Sequence, residues 1–427
     1  TFLDVPTDCP QRDERMGWTG DAQAFCGTAG FNMDTAAFYA KYIHDMILEQ
    51  KAQNGAVPHV VPVIKKDGKP LLDSASCAWA DAAAIIPWTS YVYSGDRELL
   101  EKEYPAMKMW ADWLCREDDQ NGGKRLWLTG FHFADWLSLD NYKEPQSCLG
   151  GTDCYYIASA FYAYSTRLTA KAAAVLGKAE EAAFYARRSE EVKEAFQKEF
   201  FTPNGRCAMN TQTAYVVALH MDLVPREMRP RLMKELRRLL EENNCHLTTG
   251  FVGTSYLCQV LSACGDSEDA YRLLFNEDYP SWLYEVNMGA TTIWERWNSV
   301  LPDGSISDTG MNSLNHYTYG SIVEWMYRWV GGLNPLEEAP GFAAVSLTPY
   351  PGKGLDWAEI ACDSASGRYE VRWERGSDGR ISYRFRIPFG CTARLVLPAD
   401  GEADGVPLAA GTAVLLRAGE HTAVTGA

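Results

Sequence analysis

Along this chain the spacing of apolar residues changes once, and that change limits the fold more than any other feature. From about residue 20 to 333, apolar side chains recur every three or four positions, the period of a helix with one buried face. Between Ala22 and Ala52 the stripe is Phe25, Ala29, Met33, Ala36, Tyr39, Ile43 and Met46. Similar stretches predict helices within 75–94, 98–116, 155–176, 179–200, 226–242, 253–263, 267–276 and 313–330. Residues that interrupt helices lie between them: Pro58, Pro62 and Pro70, Asn121-Gly122-Gly123, Pro203-Asn204-Gly205, Pro225, Pro230 and Pro302-Asp303-Gly304. After Gly331-Gly332-Leu333-Asn334-Pro335 the period falls to two, at Tyr369–Trp373, Ile381–Ile387 and Ala393–Leu397, with a hairpin turn at Gly376-Ser377-Asp378-Gly379. The pattern predicts about ten or eleven helices packed as hairpins in a ring over residues 1–335. A small β-sandwich is expected over 336–427.

Composition narrows the function. Fifty-six acidic residues against forty basic ones leave a net charge of −16 over 427 residues, which disfavours a phosphate backbone as partner. No apolar run approaches the roughly eighteen residues of a membrane helix. Fourteen Trp and twenty-two Tyr fit either a large helical core or a pocket for sugars, whose rings offer C–H faces and hydroxyl edges. Twelve scattered Cys without a C-x-x-C pair read as small buried side chains in a reducing, cytoplasmic setting. The start, Thr1-Phe2-Leu3-Asp4, has neither Met nor a leader and reads as the interior of a longer protein.

Two segments concentrate reactive side chains. The first is Asp8-Cys9-Pro10-Gln11-Arg12-Asp13-Glu14-Arg15-Met16-Gly17-Trp18-Thr19-Gly20-Asp21, where Pro and Gly prevent a regular helix. Trp18 and Met16 among the charges indicate a turn that aims carboxylates inward rather than a solvated loop. Burial and neighbouring anions raise a carboxyl pKa, as a general acid near neutral pH requires, while an Arg nearby keeps another ionised. The second is Gly289-Ala290-Thr291-Thr292-Ile293-Trp294-Glu295-Arg296-Trp297-Asn298-Ser299, read as a carboxylate framed by two indole faces. The plainer alternative is a helix on which Glu295 pairs with Arg296 at the surface.

These two segments resemble the signature segments of bacterial α-L-rhamnosidases of glycoside hydrolase family 78. The likeness extends through Asn54-Gly55-Ala56-Val57-Pro58-His59, Gly250-Phe251-Val252-Gly253-Thr254 and Asn315-His316-Tyr317-Thr318-Tyr319-Gly320, in order along nearly the whole chain. The resemblance implies an (α/α)6 barrel with a C-terminal β-sandwich, and hydrolysis of terminal α-L-rhamnosides with inversion. It places the general acid on Glu14 and the general base on Glu295, with sugar contacts at Asp8, Arg12, Trp18, Asp21 and His316. Shorter matches carry Trp79 (Ala78-Trp79-Ala80-Asp81) and Trp136 (Ala134-Asp135-Trp136-Leu137) into the same set. Family members also have upstream β-sandwich domains and a helix leading into the acid segment, for which this sequence has no counterpart. A rhamnose-containing glycoside is the expected partner, its methyl group against Trp18 or Trp79 and its diol held by Arg12 with Asp8 or Asp21.

Other signals carry less. Glu117-Asp118-Asp119-Gln120-Asn121-Gly122 has a calcium-loop outline, but the first position is Glu and the twelfth is Leu128, so an interhelical turn is expected. No zinc, nucleotide or dinucleotide motif is present, and neither metal nor cofactor is expected. The charge run from Arg229 to Glu242 reads as a solvated helix face. Rival readings are a non-catalytic carbohydrate binder, a helical-toroid glycosidase for another sugar, and a polysaccharide lyase. A binder needs no acid–base pair, and a lyase for uronates needs a basic cleft.

Overall fold

A computed structural model describes residues 2–10, 15–144 and 147–426. Helices α1 (Thr19–Asn32), α3 (Ala82–Ser94), α5 (Cys154–Val175), α7 (Gln212–His220) and α9 (Phe251–Ala263) form an inner ring. A last inner helix closes the ring between α9 and α1, and its winding loosens along its length. It begins as a 3-10 turn at Thr318–Ser321, continues as α12 (Ile322–Trp325) and ends in a π turn, Met326–Val330. Outside stand α2 (Ala36–Ala52), α4 (Arg97–Gln120), α6 (Ala179–Phe200), α8 (Arg229–Glu242) and α10 (Ser267–Phe275), each following its inner partner. The short α11 (Trp282–Asn287) follows α10. This is the ring that the helical period predicts and the (α/α)6 barrel that the family resemblance implies. Inner helices are buried almost all round: α5 buries Tyr156, Phe161 and Tyr162 together with Ser159, Ser165 and Thr166. Outer α8 buries only Leu232, Met233, Leu236, Leu239 and Leu240, so its charges do face solvent.

The expected helical stretch 22–52 is two helices. At Asn32 the stripe would have to serve both layers at once, and the chain reverses there, with Asp34 accepting the Ala36 N–H at 3.2 Å. The stretch 75–94 becomes helical only at Ala82, because Ala75 (φ 64°) and Ala78 (φ 63°) sit in the left-handed region. The stretch 313–330 likewise starts at Thr318. Among the described residues no helix is long and apolar enough to cross a membrane.

Strands β1 (Lys65–Lys66) and β2 (Lys69–Pro70) are an exposed hairpin. The remaining eight are β3 (Leu333–Pro335), β4 (Ala344–Leu347), β5 (Trp357–Ser364), β6 (Gly367–Arg375), β7 (Ile381–Val396), β8 (Gly401–Ala403), β9 (Val406–Leu408) and β10 (Ala413–Thr425). They form one connected sheet. The alternating segments 381–387 and 393–397 are one strand, β7, which pairs with β6 through the expected hairpin (Trp373 opposite Tyr383) and in parallel with β4. A bulge between Arg417 and Gly419 kinks β10 against β7. The inward residues Tyr369, Val371, Trp373, Tyr383, Phe385 and Leu395 share one core with the barrel. Trp373 donates its indole N–H to the Val330 carbonyl at 2.8 Å, and Gly341 N–H binds the Val92 carbonyl at the end of α3. The sheet therefore packs on the C-terminal ends of the inner helices and leaves their N-terminal ends open.

Candidate active site

At that open end a pocket of about 150 Å³ is lined by Asp8, Trp18, Asp21, Trp79, Phe133, Trp136, Phe251, Glu295, Met311 and His316. Its volume is below the ~300 Å³ at which pockets for drug-sized molecules begin, and suits one sugar ring. Seven of the nine residues predicted for the site are therefore neighbours. The other two, Arg12 and Glu14, lie outside the described residues.

Each element reaches the pocket for a local reason. Asp21 lies in the first turn of α1, where the helix dipole favours an anion, and its Oδ1 accepts the Thr318 hydroxyl at 2.6 Å. The loop before α1 is tied down by an Asp8 N–H to Met16 carbonyl bond, by Tyr42 on the Gly17 carbonyl and by Tyr317 on the Pro6 carbonyl. Gly20 must be glycine, because a Cβ there would lie 2.5 Å from the Trp79 ring. Glu295 is on a loop: its backbone N–H donates to the Ser313 carbonyl at 2.9 Å, and its Oε2 accepts the Ser313 N–H at 3.1 Å.

Two buried carboxylates aim two of the indoles. Asp81 accepts from the Trp110 indole, the Ser165 hydroxyl and the Ala78 N–H, so the turn carrying Trp79 is fixed from below. Asp135 accepts the N–H groups of Gly250, Val252 and Gly253 and the Thr213 hydroxyl, capping α9 while placing its neighbour Trp136. Burial raises both carboxyls, that of Asp135 to about 6.

The polar centre is a ring nitrogen facing three acids. His316 Nε2 is 3.3 Å from Asp21, 3.8 Å from Asp8 and 3.9 Å from Glu295, and all four side chains are buried. Burial first, then the Asp8 charge, pushes the Asp21 carboxyl well above the usual range, so it keeps its proton to higher pH than an ordinary Asp. One carboxyl that holds a proton beside others that face a histidine is the separation acid–base chemistry needs. Asp8, Cys9 and His316 are close enough to share a metal ion. Burial and the nearby Asp8 and Glu295 push the Cys9 thiol far up, so it holds its proton beside these acids.

The indoles beside Glu295 are not its frame. Trp297 stacks on Tyr319 at 4.2 Å and meets Trp282 edge-on at 5.2 Å, inside the core, and Trp294 is buried beneath the loop. Glu295 is not on a surface helix either, and Arg296 turns instead to the Gly310 carbonyl. The pocket's apolar wall comes from elsewhere. Phe133, which no sequence signal singled out, contacts Trp18, Trp79 and Trp136 with centroids 5.8, 4.7 and 5.5 Å away. Phe251, within a quoted segment but assigned no role, lies 5.2 Å from His316. Met311 had no signal at all. A larger cleft of about 350 Å³ lies on the C-terminal sheet. Its charges are cross-strand ion pairs such as Arg368 with Asp363 and Arg372 with Glu359, each at 2.8 Å and exposed.

Comparison with known proteins gives a consistent picture. Residues 1–330 match the family described as bacterial alpha-L-rhamnosidase 6 hairpin glycosidase domain, and residues 332–408 match the bacterial alpha-L-rhamnosidase C-terminal domain. The chain is 41% identical over 401 residues to an alpha-L-rhamnosidase of Formosa agariphila, covering 93% of this chain and 42% of that protein. An alpha-L-rhamnosidase of an Alteromonas species is 39% identical over the same shares. The chain thus spans well under half the length of these curated relatives. The crystal structure of Streptomyces avermitilis alpha-L-rhamnosidase complexed with L-rhamnose superposes with a TM-score of 0.89 at 34% identity, over 99% of this chain and 40% of that one.

Proposed function

Because the chain belongs to the bacterial α-L-rhamnosidase family, we propose that its open-end pocket hydrolyses terminal α-L-rhamnosides by single displacement, with inversion at the anomeric carbon. The observation that carries this reading is the meeting of Asp8, Asp21 and Glu295 around His316 in one ring-sized pocket walled by indoles.

Glu295 is the general base. Its Oε2 is engaged by the Ser313 N–H, which fixes the carboxylate, while Oε1 faces the pocket's histidine. Glu14 is the general acid that protonates the departing oxygen, a role the family resemblance implies. In an inverting enzyme the two carboxyls stand roughly 6.5–9.5 Å apart, leaving space for the attacking water on the face opposite the leaving group. His316 faces the acids and limits their mutual repulsion when its Nε2 carries a proton. A protonated Asp21 has one oxygen on Thr318 and can donate from the other to a sugar hydroxyl. Trp18, Trp79 and Phe133 supply an apolar wall for the C5 methyl group, and Arg12 with Asp8 grips the diol. Such a site rejects sugars lacking those hydroxyls, because its buried polar groups would be left unpaired.

A panel of aryl glycosides tests the assignment. The α-L-rhamnoside is expected to be cleaved at least about tenfold faster than the α-L-fucoside, α-D-mannoside or β-D-glucoside. Equal or better cleavage of another sugar overturns it.

A further inference from the structure

The inner helices also enclose a chamber at their opposite, C-terminal ends. Its volume is about 260 Å³; all six helices line it, and Pro335 and Glu337 of the C-terminal region close one side. Nothing in the chemistry of the open-end pocket uses it.

The chamber is balanced in charge. Arg328 donates to Glu324 at 2.7 Å and to the Tyr93 hydroxyl at 3.2 Å, and Glu337 is held by Lys171 and by the Trp88 indole. A strongly charged guest would have to break these pairs. Its lining combines flat faces with hydrogen-bonding groups: His220 stacks on Tyr256 with centroids 3.9 Å apart, and burial lowers the imidazole pKa to about 3, so the ring is neutral. Gln23 lines the chamber at 4% exposure, and its Oε1 has no hydrogen-bond partner among the described residues. A buried carbonyl without a donor is costly, and a turn of the Gln23 amide about its last torsion would bring it onto a guest hydroxyl in the chamber. Gly27 lets the Glu324 carboxylate lie against α1, since a Cβ there would be 2.1 Å from it.

We propose that this chamber binds a small, neutral, polyhydroxylated molecule of monosaccharide size, at a site separate from the open-end pocket. Aromatic faces take its C–H side, and Gln23 accepts from one of its hydroxyls.

The test counts binding classes for L-rhamnose and D-xylose by titration calorimetry, in the unaltered chain and in Gln23→Leu, Thr89→Phe and Trp79→Ala. Two classes are expected for at least one sugar. Gln23→Leu weakens one class by about tenfold and leaves the melting temperature unchanged or raised. Thr89→Phe, which fills the chamber, removes that same class, and Trp79→Ala removes only the other. A single class lost in Trp79→Ala overturns the proposal, as do two classes indifferent to both chamber variants, or no binding at all. The readout needs no turnover, so failure of rhamnoside hydrolysis and failure of the chamber are separate results.

Discussion

The two ends of the barrel are built from the same six inner helices and handle charge differently. At the N-terminal ends acids gather: Asp8, Asp21 and Glu295 face one histidine, and Asp135 and Asp153 cap helices. At the C-terminal ends bases meet the free carbonyls. Arg97 donates to the carbonyls of Val175 and Leu176 at the end of α5, Arg167 to that of Met221 after α7, and Arg328 pairs with Glu324. Helix dipoles favour this sorting, since the N-terminal ends carry partial positive charge and the C-terminal ends partial negative charge. The difference teaches where reactivity can reside. At the open end the Asp21 carboxyl, buried beside Asp8, holds its proton to higher pH than an ordinary Asp, whereas at the other end Glu324 is tied up by the Arg328 guanidinium.

That contrast can be broken at either end. The largest effect is expected at the open end, where Glu295→Gln should slow cleavage of an aryl α-L-rhamnoside by roughly 10²–10⁴-fold while leaving rhamnose binding and thermal stability nearly unchanged. A stopped assay alongside a binding titration checks both halves of that statement. At the closed end Arg328→Met should instead cost stability, about 2–4 kcal/mol in denaturant unfolding. That is below the full cost of orphaning a buried carboxylate, because the Arg328 and Glu324 side chains are 21% and 16% exposed. Asp135→Ala should cost about 2–3 kcal/mol, since three N–H groups and a hydroxyl lose their acceptor, and should loosen Trp136 enough to raise KM more than it lowers kcat.

The smallest effect sharpens the comparison from outside the ring. Glu103 on α4 is 2% exposed, neither of its oxygens has a partner among the described residues, and burial raises it to about 8. The folded chain holds this proton where the unfolded chain has lost it. Its contribution to stability therefore declines as pH rises from the ordinary carboxyl range toward about 8. Glu103→Gln abolishes that decline, so between pH 5 and 6.5 the variant should gain about 2 kcal/mol relative to the parent. Melting curves across that range will show whether the gap widens with pH.

Much of this was legible in the sequence because it depends on local period. The switch at Gly331–Pro335 separates helices from strands, and Gly376–Gly379 turns the hairpin between β6 and β7. Trp18, Trp79 and His316 converge because each precedes an inner helix, where a parallel ring brings distant positions together, and Trp136 joins them through its neighbour Asp135, which caps α9. Phe133 and Met311 were not legible, since neither has a motif around it and only the closed ring shows that they share a wall. Trp294 and Trp297 misled for a related reason. Adjacency in sequence looks like framing, but the loop turns Glu295 into the pocket and packs Trp297 on Tyr319. Residues 11–14, where the family resemblance places the general acid, are outside what the structure describes.

The most direct test of the account is the proton NMR spectrum recorded in the first minutes after this chain meets an aryl α-L-rhamnoside. The account predicts that free β-L-rhamnose appears first and only later equilibrates with the α-anomer. Initial release of the α-anomer, or no release of rhamnose, would contradict it.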